Sequence, residues 1–115
     1  MIRVLVCGGR DYDDELTVYA VLDKLHAEHP FELLMTGGAS GADQLAVEWA
    51  KQHDVRTKVF VADRNAIGRK AGPMRNQRML DEGKPDTVIA FPGGRGTADM
   101  VTRALKMALS VIAIP

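Results

Sequence analysis

The chain has 115 residues, a length that fits one domain, and 46% of them are apolar, as in ordinary soluble globular proteins. Lysine plus arginine and aspartate plus glutamate both number 15, so no global charge draws the protein to DNA or to an anionic membrane; electrostatic binding has to come from local clusters. Cys7 is the only cysteine, the chain opens without a charged leader or cleavage site, and no apolar run nears the roughly 20 residues of a membrane span, so a cytoplasmic, disulfide-free protein is expected.

Apolar runs of strand length recur at about residues 2 to 7, 31 to 36, 56 to 61, 86 to 91 and 110 to 114. Each is apolar throughout rather than alternating, which predicts buried parallel strands. Between them lie stripes at spacings of three and four: Val18, Val21, Leu22 and Leu25; Leu45, Ala46, Trp49 and Ala50; Met79 and Leu80; Val101, Ala104, Leu105 and Ala108. Strands alternating with helices through short loops predict right-handed crossovers and an α/β fold, a three-layer Rossmann-like doubly wound parallel sheet of about five strands ordered 3-2-1-4-5. No linker, repeat or low-complexity tract divides residues 1 to 115, so a single domain is expected.

In such a sheet the turns after the strands gather at one carboxyl edge, where open α/β proteins bind ligands. The first turn is Gly8-Gly9-Arg10-Asp11, with Asp11 read as a cap of the first helix and Asp13, Asp14 and Glu15 set favourably in its early turn. It lacks the G-x-G-x-x-G spacing of a dinucleotide fold, and a G-x-x-x-x-G-K-[ST] P-loop occurs nowhere. The second turn holds Gly37, Gly38, Ser40, Gly41 and Asp43; Ser40 and Asp43 fit a capping box, while three glycines exceed what a tight turn needs and are read as pocket lining. Residues 62 to 73 form the longest irregular piece and carry Asp63, Arg69 and Gly72; Pro73 then precedes Arg75 and Asn76 near a helix start. The last turn, Pro92-Gly93-Gly94-Arg95-Gly96-Thr97, joins close backbone approach to a threonine hydroxyl and the positive end of a helix dipole, which suits a phosphate or ribose. Its bland alternative is a plain turn capped by Thr97.

Arg10, Arg69, Arg75 and Arg95 are expected to converge at this edge, and the planar guanidinium suits bidentate phosphate contact; the alternative is scattered, solvated arginines. His26, His29 and His53 have no metal-gathering spacing and are read as surface residues, so no metal site is expected. Trp49 reads as core, and Cys7 as a small buried residue near the pocket rather than a reactive thiol.

With the GGRDY, GGASGAD, AGPMRNQRM and AFPGGRGTADM segments in view, the whole chain resembles the YspA/cpYpsA-related branch of the SLOG superfamily of Rossmann-like proteins. That superfamily includes the LOG phosphoribohydrolases, the DNA-processing protein DprA and ligand-sensing domains of antiphage systems. The resemblance implies a nucleotide or NAD-derived ligand. LOG enzymes pair an arginine in R-K-x-x-M with a glutamate in P-G-G-x-G-T-x-x-E. Arg75 and Met79 match the first motif and residues 92 to 97 the second, but Met100 stands at the glutamate position. A thioether neither moves a proton nor steadies an oxocarbenium ion. Asp99 is one residue away, which on a helix is a turn of about 100 degrees.

The turns and the resemblance together imply a binding protein for a phosphorylated nucleoside or NAD derivative such as ADP-ribose, acting as sensor or sequestering agent, with no required cofactor. The alternative is an N-glycosidase of nucleoside monophosphates using Asp99, Asp43 or Asp63. Single-stranded nucleic acid binding ranks last, since one Trp, two Tyr and three Phe give little stacking surface. A membrane partner is not expected, and a homodimer is compatible with the resemblance.

Overall fold

A computed structural model describes residues 1–62 and 70–115. Its five strands are β1 (Ile2–Cys7), β2 (Phe31–Thr36), β3 (Thr57–Val59), β4 (Thr87–Ala90) and β5 (Ser110–Ala113). They form one parallel sheet in the order β3-β2-β1-β4-β5, as the sequence predicts. Four helices are described: α1 (Glu15–Glu28), α2 (Ala42–Gln52), α3 (Ala71–Gly83) and α4 (Arg95–Lys106).

Successive strand side chains point to opposite faces, and here both faces are apolar. Val4, Val6, Leu34 and Ile89 pack with Val18, Leu22, Ala46 and Trp49 of α1 and α2. Leu5, Met35 and Val88 pack on the other side with Met79, Leu80, Met100 and Ala104 of α3 and α4. That division produces the three layers and leaves the central strand β1 with its Val4, Leu5 and Val6 fully buried.

The helix starts differ from the capping expected. Asp14, not Asp11, caps α1: its carboxylate accepts bonds from the Thr17 amide at 3.1 Å and the Thr17 hydroxyl at 2.6 Å, which hold it below the ordinary carboxylate range. A capping side chain has to stand at the residue just before the helix, from where it reaches the amides of the first turn, and that residue is Asp14. Ser40 does not cap α2 either; Gly41 is the cap residue, and the Ser40 hydroxyl donates to the Arg10 carbonyl at 3.1 Å.

Trp49 is fully buried, yet its indole N–H donates to Asp23 Oδ1 at 2.8 Å, a bond from α2 to α1. His53 stacks on that indole with ring centroids 4.3 Å apart and reaches the same Asp23 oxygen at 3.1 Å. His26 accepts from the Phe31 amide at 2.9 Å. Two of the three histidines read as surface residues therefore join elements. Among the described residues, no helix is long and apolar enough to cross a membrane. Truncating Trp49 removes both its packing and its tie to Asp23, so Trp49→Ala is expected to lower unfolding free energy by about 3–5 kcal/mol in urea titrations.

Candidate functional site

The turns after β1, β2 and β4 touch one another through backbone. Gly9 donates its amide to the Pro92 carbonyl at 2.8 Å, and its own carbonyl accepts from the Ala42 and Tyr12 amides, each at 3.2 Å. Such approach leaves no room for side chains. Gly41 has a φ of 76° and any Cβ there would strike the Gly9 carbonyl oxygen; a Cβ on Gly93 would strike the Thr97 hydroxyl and lie 2.7 Å from the Gly9 amide nitrogen. Gly41 and Gly93 thus serve contact between turns.

Beside this junction opens a cavity of about 730 Å³, within the usual range of small-molecule sites. Its wall takes Gly8, Gly9 and Arg10 from the first turn, and Gly37, Gly38 and Asp43 from the second. The other side is built by Gly72, Arg75 and Asn76 of α3 and by Gly94, Arg95, Gly96, Thr97, Asp99 and Met100 at the start of α4. Ser40, Gly41, Pro92 and Gly93 stand outside the wall. Asp63 and Arg69 lie outside the described residues. Arg10, Arg75 and Arg95 do share the cavity. Cys7, Val6, Ala39, Val61, Ala62, Pro73 and Met79 line it as well. For most of these no chemical signal in the sequence could have marked them, since their place follows from the strand ends alone.

Three helix N-termini meet at the cavity, and α2 differs from the other two: the start of α3 has no side-chain cap and no acid in its first turn. Gly94 caps α4 with no side-chain bond, and no acidic residue stands in the first turn, so its positive end is answered by nothing of its own. The first turn of α2 contains Asp43, whose Oδ2 accepts from the Ala39 amide at 3.2 Å.

A polar chain ties these walls together. Arg75 donates to the Gly37 carbonyl at 2.7 Å, to the Phe60 carbonyl at 3.4 Å and to Asn76 Oδ1 at 3.1 Å. Asn76, buried, spends both amide hydrogens on the Gly96 carbonyl at 3.2 Å and on Asp99 Oδ2 at 2.9 Å. Arg103 pairs with the same Asp99 oxygen at 2.8 Å and also holds Gln77 Oε1 at 3.0 Å. Asn76 is accordingly a brace between α3 and α4.

Burial pushes the Asp43 carboxyl up to about 6, against the opposing pull of the Ala39 amide, the Arg75 guanidinium and the Gly37 amide. The Cys7 thiol is pushed up to about 12, by burial first and by the neighbouring Asp43 second, so it carries no thiolate at neutral pH. Met100 is buried among Leu5, Met79 and Val88, with its side chain in the core beneath the cavity. Among the described residues no group of three or more His, Cys, Asp or Glu gathers as metal ligands.

The model of the "YspA, cpYpsA-related SLOG family" matches residues 2–66, more than half of the chain. The Gene 61 protein of Mycobacterium phage D29 is 39% identical over 97% of this chain and 95% of its own length. Among solved structures, DNA processing protein A (DprA) from Streptococcus pneumoniae superposes with a TM-score of 0.81 at 22% identity. The whole of this chain is covered, but it spans only 50% of the DprA chain. The Moco carrier protein from Chlamydomonas reinhardtii gives a TM-score of 0.68 at 22% identity, covering 99% of this chain and 76% of the carrier. At such identities the structural likenesses establish the fold.

The Asp43 carboxyl has a native pKa of about 6, above the 3.8 of an unperturbed side chain, so the folded protein holds that proton more tightly than the unfolded chain. Its buried charge therefore costs stability above pH 6, and the cost is relieved as pH falls from 6 towards 4. Asp43→Asn carries no such charge. Urea titrations are expected to show the stability of D43N relative to wild type rising by on the order of 2 kcal/mol between pH 4 and pH 7.5.

Proposed function

The chain belongs to the YspA, cpYpsA-related SLOG family, and from that premise we propose that it binds a phosphorylated nucleoside or an NAD-derived molecule such as ADP-ribose, as a sensor or sequestering protein. The observation that carries this reading is the start of α4: a glycine-rich helix N-terminus without a side-chain cap or an acid in its first turn, opening on a cavity of nucleotide size. Backbone amides and the helix dipole supply anion affinity there, and exposed Arg95 adds a cation. Arg10 and Arg75 line the same space.

Binding is favoured over hydrolysis by the two residues past the turn. Met100 is buried and has no proton to give, and the Asp99 oxygen that meets Asn76 and Arg103 is already engaged. The structural neighbour named as a Moco carrier protein offers a parallel for this fold as a holder of a small molecule. A second reading, an N-glycosidase of nucleoside monophosphates, draws on Asp43: a carboxyl near 6 has the proton affinity that a general acid needs. Release of free base from a monophosphate, lost in Asp43→Asn, is the result that reading requires.

The binding reading is tested by calorimetry and thermal shift against AMP, ADP-ribose and NAD, where at least one is expected to raise the melting temperature in a concentration-dependent way. Gly96 provides a directed probe, because it lines the cavity and a Cβ there would meet nothing within 4 Å. Gly96→Ala is expected to keep or raise stability by up to about 1 kcal/mol, as alanine suits a helix better. Its methyl group stands where a phosphate would approach backbone, so affinity should drop at least about tenfold; unchanged affinity would count against an anion at α4.

A further inference from the structure

Asp43 is 5% exposed and forms part of the cavity wall. Its Oδ2 has the Ala39 amide and the Gly37 amide lies near enough to favour the carboxylate, but Oδ1, also buried, has no partner in hydrogen-bonding geometry among the described residues. An unpartnered buried carboxylate oxygen is costly, and such groups in native proteins mark a place where something else completes the bond. The charge matters as much as the vacancy. A carboxylate already sits against the positive end of α2, so a second anion arriving there meets repulsion, whereas the first turn of α4 holds no acid.

Resting on the nucleotide reading of this pocket, we propose that Asp43 is a specificity residue that accepts a hydrogen bond from a hydroxyl or amino group of the ligand, while the ligand's anionic group is held at α4 and excluded from the turn of residues 37 to 43. The torsion that exchanges the two carboxylate oxygens is broad in aspartate, so Oδ1 can turn to a donor without moving α2. At neutral pH the group lies above its titration point near 6 and acts as acceptor only. Arg75, fixed by the Gly37 carbonyl, lies close enough to favour the ionised form.

Two ligand groups carry the required donor chemistry, the ribose hydroxyls and the exocyclic amine of the base. Calorimetry at pH 7.5 with AMP, 2′,3′-dideoxy-AMP and purine riboside 5′-monophosphate separates them, using wild type and Asp43→Asn. The carboxamide keeps an oxygen for the Ala39 amide and places N–H donors where the ligand's own donor must come. One analogue is expected to bind wild type at least about tenfold more weakly than AMP, with that ratio shrinking to within about threefold in D43N. Loss with the dideoxy compound assigns the ribose; loss with the purine compound assigns the base. Equal binding of all three by wild type, or a ratio that persists in D43N, overturns the role of Asp43 and leaves the pocket reading standing. If AMP does not bind although ADP-ribose or NAD does, the inference likewise falls alone. Failure of every nucleotide to bind overturns the pocket reading and this inference together.

Discussion

Gly9 is gripped from two sides, by the Pro92 carbonyl on its amide and by the Ala42 amide on its carbonyl, and the arrangement of the whole carboxyl edge depends on that grip. Parallel pairing brings the ends of β1, β2 and β4 side by side, but pairing alone would leave three independent loops. The Gly9 bonds join them, and the glycines at positions 41 and 93 permit the approach. The starts of α2 and α4 are thereby set on one cavity, each with its dipole directed at the same small volume.

The electrostatic character of that volume follows from unequal treatment of the helix ends that meet there. The start of α2 carries its own carboxylate, whereas the first turns of α3 and α4 hold no acid. A chain with equal numbers of acids and bases therefore presents a polarised pocket. Asp99, which in isolation looks like a second negative charge at the cavity, is compensated by Arg103 and braced by Asn76. Met100 follows from helical geometry: its position faces the core beneath the site, where a thioether packs with Leu5, Met79 and Val88.

The central strands were legible in the sequence because parallel strands buried on both faces leave apolar runs, and β1 and β2 begin and end where those runs do; β3, exposed throughout, and β5, exposed to half-buried, depart from the buried strands expected because they are the sheet's borders. The strand order was legible too, from alternation and crossover handedness. The gathering of glycine turns could be read from the same alternation. What could not be read is which glycine faces ligand space and which faces another turn: Gly37 and Gly41 look alike in sequence, and only their neighbours in space part them. The same holds for side chains whose partners come from other elements. Asn76 resembles a ligand contact until Gly96, Asp99 and Arg75 are found around it, and Ser40 resembles a cap until the Arg10 carbonyl appears. His26 and His53 carry no apolar signature, yet the first satisfies a strand amide and the second stacks on Trp49.

β3 spans only three residues, all exposed, with Lys58 at its centre, and it forms one border of the sheet. A sheet border displays unsatisfied amides and carbonyls that another chain can zip onto, the first step towards fibrous assembly. So short a border, with a charge that would have to be buried on docking, offers too little template for that addition. At that border the sheet therefore gives a docking strand little to pair with, while β1 stays sheltered at the middle.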